Sequence, residues 1–185
     1  WPRTARPVSN GSIFRNLWFS YIRDDAIEND SMSAITVQDV LLDGVYVCYS
    51  ADHQTASGGS NVVVIDRMLC RLQNMPGGHH STGPTHGAAW KVETDGRSPK
   101  MALRDTVVLV DGPGESRASK LLPAPITVIP ERCVNNVVVW KGPGSFPATN
   151  PFPSSCWRVV NYDAGGRELW DAAVADWKRR HPDIG

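Results

Sequence analysis

Asp24, Asp25, Asp43 and His86 are the side chains whose types and spacing could do chemistry, each standing just ahead of a short apolar run. If those runs stack as neighbouring strands, the four line one edge within roughly 5 to 10 Å. Two carboxyl groups about 6.5 to 9.5 Å apart hydrolyse a glycosidic bond with inversion, one as acid and one activating water. Crowded carboxylates also push one another's pKa values apart, so one cluster supplies both protonation states. In this reading Asp25 is the acid, Asp24 or Asp43 the base, and His86 a tuner or oxyanion partner. Lys91, Arg23 and His53 are the candidates for holding substrate. Solvated turn residues capping strand ends would carry the same letters, so spacing alone admits both readings.

Glu28 and Asp30 continue the acidic run, which makes residues 24–30 a candidate Ca²⁺ site, although no EF-hand spacing is present. His79, His80 and His86 carry zinc-ligand chemistry, but the first two sit in a Gly-rich loop without cysteine partners. No metal is assigned. Trp90, Trp140 and Trp157 suit either sugar stacking or a core. The chain contains no Gly-rich phosphate loop, nucleophile elbow or dinucleotide fingerprint.

The elements that must position these groups announce themselves by repetition. Residues 14–19, 37–42, 65–69, 103–108 and 134–139 each join apolar residues, a polar bend and a second apolar run. The expected bend residues are Asn16, Asp39, Asp66, Asp105 and Asn136, because Asn and Asp tolerate the left-handed conformation and bond nearby backbone. A fixed local signature at irregular intervals fits stacked strands with loops of variable length. A third strand per coil is expected over 45–50 and 88–93, with a further member at 125–129. Residues 166–181 read as the one clear helix, with Leu169, Trp170, Ala173, Val174 and Trp177 on one face. Asp163 is its expected N-cap and Pro182 its stop. Such a helix would cover the open last rung.

Composition bounds the class. A chain of 185 residues with 41% hydrophobic content can bury one good-sized core. Basic and acidic residues balance at 19 each, which argues against a nucleic-acid partner. No apolar run approaches the ~20 residues of a membrane span. Cys48, Cys70, Cys133 and Cys156 permit two disulfides in three connectivities, or buried free thiols.

Three strands per coil, an Asn/Asp corner ladder and a terminal helix resemble the right-handed parallel β-helix of the pectate lyase and polygalacturonase superfamily. The chain also resembles bacterial right-handed β-helix repeat proteins of no assigned activity. Asp24-Asp25-Ala26-Ile27 looks like the paired aspartates of polygalacturonases, and Thr85-His86-Gly87 like their His-Gly turn. Their Arg-x-Lys clamp has no match, although Lys91 lies near where a uronate carboxylate would be held. The resemblance implies an all-β, right-handed parallel β-helix of about five coils over 1–145, with a Pro-rich loop and capping α-helix over 146–185. It also implies a secreted or periplasmic glycoside hydrolase or lyase acting on acidic glycans. A non-catalytic, adhesin-like module that binds glycan or protein is the alternative. Residues 1–12 look too slight to cover a first rung that is already full strength. Further N-terminal rungs are therefore expected, from missing chain or a neighbouring subunit, unless Trp1, Pro2 and Val8 fold across as a minimal cap.

Overall fold

The computed structural model describes residues 10–53, 55–76, 84–112, 120–147 and 156–184. They form a mostly β fold with parallel pairing and one C-terminal helix. The strands are β1 (Ser12–Arg15), β2 (Trp18–Glu28), β3 (Ile35–Ala51), β4 (Val62–Leu72) and β5 (Trp90–Val92). They continue as β6 (Lys100–Arg104), β7 (Val107–Val110), β8 (Val128–Val134), β9 (Asn136–Trp140) and β10 (Trp157–Asn161). Helix α1 (Arg167–Arg180) ends the chain. Every pairing between these strands is parallel.

One corner recurs in register. Arg15 pairs with Gln38, Gln38 with Asp66, Asp66 with Arg104 and Arg104 with Val134. The next residue in each case, Asn16, Asp39, Arg67, Asp105 and Asn135, takes a positive φ between 51° and 56°. A left-handed residue reverses the pleat, so the following strand leaves at an angle while its neighbours do the same beside it. Two bends therefore fall one residue away from expectation. Arg67 replaces Asp66, whose carboxylate instead accepts from Gln38, Arg67 and Arg104 on the strand face. Asn135 replaces Asn136; its amide donates to Asp105 at 2.6 Å, while Asn136 turns inward and bonds Leu103 and Cys156 carbonyls.

Strands before and after the corner differ in what covers them. Inward side chains such as Val37, Val40, Leu42, Ile65, Met68, Leu103 and Val138 form the main core. Beyond the corner the outward positions are apolar too: Trp18, Leu41, Leu69, Leu109, Val137 and Val139. A sheet apolar on both faces needs a second layer, as buried parallel sheets do. Helix α1 supplies it, with Leu169, Trp170, Ala173, Val174 and Trp177 packed on that stripe. Its 14 residues measure about 21 Å, close to the ~24 Å of five strand spacings.

The helix therefore runs across the strands on their outer face, where the sequence suggested a cover for the last rung. Trp177 donates from Nε1 to the Asp39 carbonyl at 3.1 Å and meets Trp18 edge-on. Arg180 pairs with the Asp39 carboxylate, and Lys178 lies over the Trp18 ring. The helix start also differs: Gly166 precedes it with no side-chain cap, and a bent turn with Gly165 at φ 93° replaces the Asp163 cap. Residues 125–127 form a 3₁₀ turn leading into β8, which pairs with β6, so they are no third strand. Disulfides join Cys48 to Cys70 and Cys133 to Cys156. Trp1, Pro2 and Val8 lie outside the described residues, as do His79 and His80.

Replacing Trp177 with Ala removes a fully buried indole and its bond to Asp39. Denaturant unfolding should show a loss of about 3 to 5 kcal/mol. Each disulfide closes a loop of 22 or 23 residues, so reduction should cost about 3 kcal/mol per bridge. A midpoint unmoved by reductant would contradict the second expectation.

Candidate functional site

The far end of β2, the far end of β3 and β5 lie side by side. Ile27, Tyr49 and Trp90 are paired in one row and buried in the core. The adjoining row is Glu28, Ser50 and Lys91, which strand alternation places on the opposite, outer face. Two residues further on, Ser50 and Lys91 are followed by Asp52 and Glu93, beside each other because Ala51 pairs with Val92. Asp25 and Asp24 precede Glu28 on β2, and Asp30 follows it.

Ion pairs tie these groups together. Asp25, its side chain 4% exposed, accepts from the Lys91 ammonium two strands away at 2.8 Å. Lys120 stands 3.6 Å from Asp52, and Arg97 lies 3.1 Å from Glu93. Two buried oxygens here have no hydrogen-bond partner, Asp25 Oδ1 and Ser50 Oγ.

The carboxyl groups are pushed in opposite directions. Burial raises the pKa of Glu28, and the charges of Asp30, Asp25 and Asp24 raise it further against Lys91. Burial works to raise Asp52 as well, yet its hydrogen bond with Glu93 and the charges of Lys120 and Lys91 hold it below the ordinary value. Glu93 is raised, first by that hydrogen bond and then by burial and the Asp52 charge. Burial would pull Lys91 down; the hydrogen bond to Asp25 and the charges of Asp25, Asp52 and Asp24 outweigh it and raise it. Carboxyl groups shifted in opposite directions thus share one face.

Of the residues singled out in the sequence, this face gathers Asp24, Asp25 and Lys91. Asp43 is elsewhere: it precedes Gly44, whose φ of 81° marks a register irregularity within β3, and it pairs with Arg71 at 2.8 Å. A register irregularity between Ile22 and Asp25 sets Asp25 beside Val47, four residues beyond Asp43. His86 is fully buried, and both of its ring nitrogens are taken up by backbone, facing the Gly87 and Gly112 carbonyls at 2.8 and 2.7 Å. His53 Nδ1 accepts from the Thr55 and Ala56 amides and shapes a turn. Arg23 donates to the Pro76 carbonyl at 2.6 Å. Trp90, Trp140 and Trp157 are buried, which removes them as sugar-stacking platforms.

Ser50, Asp52, Glu93 and Lys120 were not singled out from the sequence. The signal for three of them lay in register: Ser50-Ala51-Asp52 and Lys91-Val92-Glu93 follow matching third strands. Among the described residues no three His, Cys, Asp or Glu side chains are arranged to hold a metal. Within 24–30, Ile27 and Asn29 turn into the interior, so that run does not wrap around one point. A separate groove of about 400 Å³ lies on the face of β4, β6 and β8, lined by Val64, Asp66, Ala102, Arg104, Glu131 and Val134. Its Asp66 is engaged by Arg104 and Arg67. Among the described residues no helix is long and apolar enough to cross a membrane. Comparison with known protein families, curated proteins and solved structures finds no match to this chain.

Because Glu28 is raised in the fold, the folded chain binds more protons than the unfolded one just above the usual glutamate value. Stability contributed by this group therefore falls as pH rises through that window. Glu28→Gln should be more stable than the parent by a few tenths of a kcal/mol at neutral pH, the gap closing below about pH 4. Lys91→Met should instead cost about 1 to 3 kcal/mol at neutral pH, since it strands the buried Asp25 carboxylate. Denaturant titrations across pH measure both.

Proposed function

We propose that the chain is a right-handed parallel β-helix of about five coils, working as a polysaccharide-active glycoside hydrolase from the Glu28–Asp52 face. The observation that carries this reading is a carboxyl pushed up at the end of β2 and a carboxyl pushed down just past the end of the neighbouring β3. Glu28 pairs with Ser50, two residues before Asp52. One strand spacing and two residues of rise put the two backbone positions about 8 Å apart, and an inverting pair needs its carboxyl groups about 6.5 to 9.5 Å apart so that a water fits between them.

Glu28 donates its proton to the glycosidic oxygen as the carbon–oxygen bond breaks. Asp52 takes a proton from the water whose oxygen bonds to the anomeric carbon. The cycle leaves Glu28 ionised and Asp52 protonated, and exchange with solvent restores both. Glu93 and Lys120 keep Asp52 ionised beforehand; Lys91 and Asp25 position the row between them. The parallel pairing, the in-register corners and the resemblance in sequence support the β-helix. Two disulfides support an oxidising, extracellular or periplasmic setting.

Reducing-end release from a panel of polysaccharides tests the activity. Glu28→Gln and Asp52→Asn should each lower turnover at least about 100-fold with unchanged circular dichroism. Glycan retention without turnover, insensitive to both changes, would favour the adhesin-like module instead.

A further inference from the structure

The charge on this face bears on what it binds. Asp24, Asp25, Glu28, Asp30, Asp52 and Glu93 are gathered around two lysines, Lys91 and Lys120, with Arg97 at the Glu93 edge. The chain as a whole is neutral, so the acidic excess is local. A uronate carboxylate approaching Glu28 would meet the same repulsion that Asp30, Asp25 and Asp24 already exert on that side chain.

A second observation is independent of charge. Ser50, fully buried in the centre of the Glu28–Ser50–Lys91 row, has a hydroxyl without a partner, and Asp25 Oδ1 is likewise unpartnered. A carboxylate oxygen in this condition calls for an N–H or O–H donor, and a serine hydroxyl for a donor or an acceptor. The partner that Asp25 does have is an alkylammonium, Lys91 Nζ at 2.8 Å. An ammonium brings three donors and no acceptor. No described trio of acidic groups is arranged for a metal ion, and the candidate stacking tryptophans are buried. What remains for recognition is charge and donated hydrogen bonds.

We infer that this face takes a polysaccharide bearing free primary amines, an unacetylated amino-sugar polymer, with its ammonium groups along the Glu28–Ser50 and Asp52–Glu93 rows. This rests on the hydrolase reading for its polymer class and replaces the acidic glycan expected from the resemblance. Lys91, on a flexible stem and 28% exposed, can turn outward and yield Asp25 to a ligand ammonium, exchanging one ammonium for another.

Calorimetric titration of the full chain with three oligosaccharides tests it: glucosamine, N-acetylglucosamine and galacturonate oligomers of equal length. The glucosamine oligomer should bind at least about tenfold more tightly than the other two, and weaken as salt is raised. Asp30→Asn and Ser50→Ala should each reduce that affinity several-fold. Ser50→Ala removes an unpaired hydroxyl, so it should keep or raise stability, separating lost binding from lost folding. Equal or tighter binding of the acetylated or uronate oligomer overturns the proposal, as does equal binding of an oligolysine of the same charge. Glucosamine oligomers bound but never cleaved would overturn the hydrolase reading and leave this one standing. Cleavage confined to neutral or acidic chains would do the reverse.

Discussion

The constraint on which this structure depends is that every pass of the chain must turn the same corner at the same height. Parallel strands pair only if their neighbours bend with them, and one residue that fails to adopt a positive φ would break two ladders. Asn16, Asp39, Arg67, Asp105 and Asn135 meet that demand in register. Three of them are Asn or Asp at the positions where the sequence placed them. Arg67 is the exception in chemistry: its backbone takes the strained conformation while its guanidinium binds Asp66 and reaches toward Asp39. Four of these corners therefore carry Asn or Asp, and the fifth carries a cation beside two carboxylates.

Strand existence was legible because β-branched runs recur with a polar interruption. The placement of the helix was less so, although the information was present. Runs such as Val107-Val108-Leu109-Val110 and Val137-Val138-Val139 are apolar at every position, where a sheet with one wet face would alternate. That pattern means cover on both sides. The amphipathic face of α1 was visible too; what periodicity cannot express is which of two exposed apolar surfaces it will join. The 3₁₀ turn at 125–127 was misplaced for a related reason. Ile126 and Thr127 are strand-like residues, but the turn that begins at Pro125 takes them up before β8 starts at Val128.

The site was partly legible by the same logic. Asp24, Asp25 and Lys91 were visible as chemistry, and the structure joins Asp25 to Lys91 across an intervening strand. Asp43 and His86 were drawn in by counting back from apolar runs, a method blind to the Gly44 bend and the irregularity before Asp25. Asp52 and Glu93 went unseen because each looks like an ordinary strand-end residue until Ala51 is set against Val92. A one-residue error in register turns a side chain to the other face, so local composition cannot find such a pair.

In a simple stack each strand touches only its neighbours, so the two ends are free to open independently. Helix α1 changes that connectivity. It leaves from the last strand and fastens, through Trp177 and Arg180, to a corner 138 to 141 residues earlier in the chain. The array acquires a clasp, and its ends become one cooperative unit: loosening the C-terminal helix exposes the outer face of the earliest strands at once. Fraying at either end must then break the same indole contact, which gives a linear architecture the all-or-none character of a closed one.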